Sequence, residues 1–95
     1  MASDKPWFVY MLECAGGALY VGISNNVLAR VAAHNSGQGA KFTSGRRPVR
    51  LLYAEQHPDK SSAQKREIEI KGWRRRKKLS LLEGFPSSER HSSSG

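Results

Sequence analysis

The stretch WFVYMLEC-AGG-ALYVGI, residues 7–23, decides the fold. Its first eight residues are β-branched and aromatic on both alternating faces, the pattern of a strand covered on each side. Ala15-Gly16-Gly17 supplies a turn, because glycine adopts positive φ without a steric cost. Residues 18–23 read as the returning strand of a β-hairpin. Side chains alternate along a strand, so turn length decides whether Tyr10 and Tyr20 share a face. A two-residue Gly16-Gly17 loop would pair 12 with 21 and send the two tyrosines to opposite faces. A three-residue loop pairs 14 with 18, 12 with 20 and 10 with 22, and puts both on one face. Gly17 suits the left-handed third position of such a loop, so the three-residue register is expected.

Downstream, Ser24-Asn25-Asn26 offers three helix-capping residues in a row. A helix is predicted from Val27 to Asn35, stopping near Gly37. Val27 and Val31 form its apolar stripe, with Arg30 and His34 one turn apart beside it. Gly37-Gln38-Gly39 follows a helix rather than a strand, so it is a loop and not a dinucleotide fingerprint. Pro48 to Glu55 reads as a third strand, broken by His57-Pro58-Asp59. Ser61 and Gln64 suggest a capping box that opens a helix from Ser62 to Trp73. On that helix Ala63, Glu67 and Ile70 fall within about 60° of one another. A carboxylate inside an inward stripe needs a partner, since Glu is rarely buried alone. Residues 76–83 suggest a short last helix ended by Gly84. The Ser-rich segment 85–95 is expected to be a disordered tail, which leaves one domain over residues 1–84.

The 95 residues carry 16 Lys and Arg against eight Asp and Glu, a net charge of +8. Between Lys41 and Lys78 thirteen bases face four acids (Glu55, Asp59, Glu67, Glu69), a balance of +9. Such a density suits a polyanion, because each cation meeting a phosphate releases counterions. No apolar run approaches the roughly 20 residues that span a bilayer, so no membrane role is expected. The N-terminus has no apolar signal region, and a single cysteine, Cys14, gives neither a disulfide nor a zinc cluster. The expected location is cytoplasmic, near the bacterial nucleoid. Aromatic residues are too few for a broad base-stacking platform. Trp7, Trp73, Tyr53 and Cys14 are read as packing residues.

Phe8-Val9-Tyr10 and Tyr20-Val21-Gly22, joined by a glycine turn, resemble the GIY-YIG nuclease signature. The resemblance extends through Arg30, His34, Ala63, Glu67 and Ile70-Lys71, and spans residues 7–78. His-Asn-Ser-Gly after the helix, with Lys41-Phe42-Thr43 beyond, is similar to the small stand-alone YhbQ-like group. It implies an α/β (α+β) fold, a three-stranded antiparallel sheet flanked by helices. It also implies metal-dependent hydrolysis of DNA phosphodiesters, structure-selective or weakly sequence-specific, in a setting such as DNA repair or recombination. RNA remains open as a substrate, and a protein partner is the expected source of targeting.

That chemistry needs an activated water, a cation beside the developing charge and help for the leaving oxygen. Glu67 is the candidate metal ligand, and one carboxylate with several waters suits Mg²⁺ or Mn²⁺. Arg30 has the planar fork that clamps phosphate oxygens. A tyrosine becomes a usable base beside a cation or a metal, and His34 would receive its proton. Of Tyr10 and Tyr20, Tyr10 is favoured to face the water. Lys41, Arg46, Arg47, Lys71, Arg74, Arg75 and Arg76 are candidate DNA contacts. Phe8 replaces the first glycine of the signature. Ile23-Ser24 stand where some repair-nuclease relatives carry a lysine, and no asparagine follows the Glu67 helix. Two other classes remain: a nucleic-acid-binding module with little activity, and an adaptor whose basic face binds an acidic protein. All five catalytic-type residues are present, which favours the nuclease.

Overall fold

The computed structural model describes residues 5–83. The Gly84 helix stop and the Ser-rich segment 85–95 lie outside the described residues. Seven elements follow in order: β1 (Trp7–Cys14), β2 (Leu19–Ser24), α1 (Val27–Asn35), α2 (Lys41–Ser44), β3 (Val49–His57), α3 (Lys60–Lys71) and α4 (Arg75–Glu83). The three strands form one antiparallel sheet in the order β2-β1-β3.

β1 is the middle strand, which explains its two apolar faces. Val9 and Met11 pack with Val21, Ala63 and Ile70 under α3. Tyr10, Leu12 and Cys14 pack with Val49, and Val27 and Val31 of α1 close over them. The hairpin takes the three-residue register. Cys14 N donates to Ala18 O at 2.8 Å, Leu12 faces Tyr20, and Tyr10 faces Gly22. Gly17, the third loop residue, holds the positive φ expected there, at 96°, and Gly16 is also positive at 90°. A bulge between Met11 and Leu12 turns Leu52 as well as Tyr53 onto the α3 side.

Three local expectations are corrected. The helix after β3 starts at Lys60, capped by Asp59, whose carboxylate accepts from Ser62 N at 2.9 Å. Asp59 is as good a cap as Ser61 and comes first. β3 runs on to His57, because its side chain meets Glu55 and its backbone still pairs with Trp7. The four-residue helix α2 was not expected, since a single turn shows no periodicity. Trp7 and Trp73 border the α3 core as read, each beneath a cation: Lys60 over Trp7, and Arg66 and Lys77 over Trp73.

The carboxylate of Glu55 on β3 receives Tyr53 Oη at 2.6 Å, His57 Nε2 at 2.8 Å and Arg66 Nε at 2.8 Å. Burial pulls its pKa upward, but these three donors outweigh it and hold the carboxyl below the usual range. Burial and that same carboxylate push Tyr53 up to about 12. The network ties α3 to β3.

Candidate active site

The site begins with Gly22. A Cβ there would stand 2.7 Å from Tyr10 Oη and 3.0 Å from Tyr20 Cε2. The third residue of Tyr20-Val21-Gly22 is therefore the space in which the two phenols meet. The rings lie 6.2 Å apart at 44°, on the same face of the sheet.

The two tyrosines differ in access. Tyr10 is 1% exposed, and its hydroxyl lies 3.0 Å from His34 Nε2. Tyr20 is half-buried, with its ring 5.0 Å from His34 and stacked at 27° beside Phe42. Tyr20 lines an open groove of about 270 Å³ with Leu19, Val21, Phe42, Lys71 and Lys78. The expectation that Tyr10 faces the water is therefore not met. Burial also reverses the expected effect of the neighbouring cation on Tyr10. Its pKa is pushed well above the tyrosine range, by desolvation first and Tyr20 next, with Arg30 pulling the other way and Glu67 adding to the rise. Tyr10 remains a phenol at neutral pH.

His34 is fully buried. Its Nδ1 lies 2.7 Å from Thr43 Oγ1, and Thr43 spends its one hydroxyl proton on Ala40 O at 2.9 Å. Oγ1 can then only accept from Nδ1–H. Nε2 is left bare and accepts from Tyr10. Ala40 N–H, 3.4 Å from Nδ1, is too long to impose the opposite tautomer against the two shorter bonds. Burial first, and Arg30 second, hold the imidazole below its ordinary pKa, so it is neutral at pH 7. A directed chain results: Tyr10 Oη–H to His34, His34 Nδ1–H to Thr43, Thr43 to Ala40.

Arg30 is exposed on α1, one turn before His34. Its positive charge reaches both Tyr10 and His34. Glu67 comes from α3, whose Ala63 and Ile70 lock the helix to the core. Its side chain is 16% exposed and bonds Lys71 Nζ at 3.1 Å. No group of three or more His, Cys, Asp or Glu gathers among the described residues. One half-open carboxylate fits a cation that keeps most of its water, Mg²⁺ or Mn²⁺, and does not fit zinc. Glu67 is the residue that would hold it.

The basic candidates divide. Lys71 lines the groove. Arg46 lies 4.1 Å above the Phe42 ring and donates to Phe42 O. Arg47 donates to Ser44 O at 3.0 Å and Asn35 O at 3.4 Å, so it braces the loop after α1. Arg75 donates to Gly17 O and braces the hairpin turn. Lys41, Arg74 and Arg76 are exposed. A wider cleft of about 550 Å³ beside Asn35, Ser44 and Arg47 includes none of the five central residues.

Sequence reasoning missed Thr43, Phe42 and Gly39. A Cβ on Gly39 would stand 2.2 Å from His34 Nδ1 and 2.8 Å from its Cα. The available signal was Gly37-Gln38-Gly39 directly after a helix ending in His34-Asn35: small residues let a loop fold back onto the imidazole.

The arrangement defines a class. The GIY-YIG catalytic domain family matches residues 6–80, and the chain belongs to this family of nucleases. Within it, a UPF0213 protein of Staphylococcus aureus is 55% identical over 75 residues, 79% of this chain and 92% of that one. The solution NMR structure of a UPF0213 protein from Bacillus halodurans is similar at 38% identity and TM-score 0.56, covering 92% of this chain and 93% of that one. A solved protein of E. faecalis is similar at 36% identity and TM-score 0.60, covering 90% of this chain and 91% of that one.

Proposed function

We propose that the protein is a divalent-cation-dependent endonuclease that hydrolyses DNA phosphodiesters with little sequence specificity. One observation carries the reading: a groove-facing phenol, Tyr20, stands beside a buried phenol already hydrogen-bonded to a neutral histidine. Tyr20 and Tyr10 form the entrance to a proton path that ends on His34 Nε2. A water at Tyr20 would give its proton to the Tyr20 oxygen as Tyr20 passes its own proton to Tyr10 and Tyr10 passes its own to Nε2. Tyr10 then never has to exist as a free phenolate, which its burial opposes. Arg30 clamps the phosphate oxygens with its fork. Glu67 would hold the cation, Mg²⁺ or Mn²⁺, which when bound would supply charge stabilisation at the scissile phosphate. Lys71 and Lys78 draw the backbone into the groove. DNA repair or recombination is the proposed setting, inside the cell and near the nucleoid, with targeting supplied by a partner protein.

The test is cleavage of duplex, single-stranded and branched DNA, and of RNA, with and without Mg²⁺ or Mn²⁺. Glu67→Gln should lose cleavage by at least 10²-fold, the usual scale for one electrostatic stabiliser, and keep DNA binding. A folded Glu67→Gln protein that cuts at the wild-type rate would sink the assignment.

A further inference from the structure

The geometry points to Thr43 as a positioning residue that fixes the tautomer of His34 and so keeps Nε2 open to the Tyr10 proton. The inference rests on reading the groove as a phosphodiesterase site. Thr43 touches neither groove nor solvent, being fully buried. It is nine residues from His34, on a helix of one turn that contributes little else to the core.

The hydroxyl acts through direction. Its proton is committed to Ala40 O at 2.9 Å. Its lone pairs, 2.7 Å from Nδ1, therefore require a proton on that nitrogen. A neutral imidazole carries one proton, so Nε2 has none. The Tyr10 hydroxyl, 3.0 Å away, can only donate to it. With the other tautomer, Nε2–H would point at the Tyr10 oxygen and no proton could enter the ring from that side. Once both nitrogens are protonated, Thr43 Oγ1 still accepts the hydrogen bond from Nδ1–H and the Tyr10 oxygen accepts from Nε2–H, so the imidazolium has a partner at each end.

A second element supports the arrangement. The backbone of Gly39 and Ala40 closes on the ring so tightly that any Cβ at 39 would overlap Nδ1. Only the Ala40 N–H, 3.4 Å from Nδ1, competes with Thr43. Removing the hydroxyl while keeping the shape, as in Thr43→Val, leaves this N–H as the sole polar neighbour of Nδ1. It can only donate, so the bare lone pair should move to Nδ1 and the proton to Nε2.

The experiment uses the full chain with ¹⁵N-labelled histidine. Long-range ¹⁵N–¹H spectra distinguish a protonated from a bare ring nitrogen, and the His34→Gln variant assigns the signals. Wild-type and Thr43→Ser should show His34 protonated on Nδ1, and Thr43→Val on Nε2. In parallel, kcat of Thr43→Val should fall about 10²-fold, the lower end of general-base contributions, with KM unchanged and Thr43→Ser within a few-fold of wild type. A Thr43→Val protein with the wild-type tautomer overturns the inference. So does a switched tautomer with unchanged kcat. If Thr43→Val does not fold, Thr43→Ala is read in the same two ways. If the wild-type protein cleaves no nucleic acid, the functional reading fails, and the spectra still decide whether Thr43 sets the proton.

Discussion

Replacing Gly22 by alanine tests the meeting point of the two tyrosines with a single methyl group. The new Cβ would lie 2.7 Å from Tyr10 Oη, 2.9 Å from Tyr10 Cζ and 3.0 Å from Tyr20 Cε2. Ordinary carbon contacts begin near 3.4 Å, so the Tyr10 hydroxyl must retreat by about 0.7 Å, enough to break a hydrogen bond of ordinary length. It has nowhere free to go: the ring is 1% exposed and held at His34. Overpacking a fixed core costs about 1–3 kcal/mol. A broken Tyr10–His34 bond leaves a buried polar pair unsatisfied, a cost on the same scale. With a urea m-value of about 1 kcal/mol/M for a small domain, the denaturation midpoint of Gly22→Ala should fall by about 1–3 M. Cleavage should fall by more than the unfolded fraction explains, because the proton path is displaced in the molecules that remain folded. Unchanged midpoint and unchanged cleavage would refute the packing of both phenols over Gly22.

Two further outcomes are expected. The folded state holds His34 neutral, with its pKa depressed by burial and Arg30, whereas the unfolded chain takes up a proton below about pH 6.5. Stability should therefore be full above that pH and decline as the solution is acidified toward the lower folded value; His34→Gln should lose this slope between pH 7 and 5, and an equally steep fall in Tm for the variant would contradict it. Binding should weaken with salt at about 0.9 in log K per log salt for each duplex phosphate contact. The double variant Arg74→Ala with Arg76→Ala should reduce that slope on all sequences alike, measured by fluorescence anisotropy, and an unaltered slope would remove these residues from the interface.

The hairpin and the Glu67 helix were legible in the sequence because their signals are local. Trp7–Leu12 is apolar at every other position and at the positions between, which a central strand accommodates. Gly16-Gly17 sets the register. Glu67 stood out because it breaks an apolar stripe of Ala63 and Ile70. The asymmetry of the tyrosines was not legible. It depends on β2 being an edge strand, so that Tyr20 has a free side, while Tyr10 lies on the strand between. Thr43 carries no local signal beside Lys41 and Phe42, because its bond to His34 depends on how Gly37 and Gly39 let the intervening loop close. Sequence spacing cannot show that path. The cap of α3 is not legible to within two residues, because Asp59 and Ser61 both carry a capping oxygen and pattern alone does not rank them.

The sheet order also explains how one groove gathers residues from opposite layers. Tyr10 belongs to the layer under α1, whereas Ala63 and Ile70 anchor α3 in the layer beneath the other face. A carboxylate on α3 meets a tyrosine of the α1 layer only by passing the edge of the sheet. β2 is that edge, and α3 lies against it. Gly22 thins the edge at the level of Tyr10, since it carries no side chain toward either tyrosine. Lys71, one turn beyond Glu67, then stands 6.0 Å from the Tyr20 ring centre, and its ammonium pairs with the carboxylate. The same edge position that leaves β2 with β1 as its one strand neighbour among the described residues leaves Tyr20 open to a phosphate. Covering that edge with a fourth strand would bury Tyr20 as Tyr10 is buried, and would separate Glu67 from the proton path. The small sheet is thus a condition of the site: three strands with the first in the middle give one buried phenol, one half-buried phenol open to the groove, and an edge free of a further strand between them and the carboxylate.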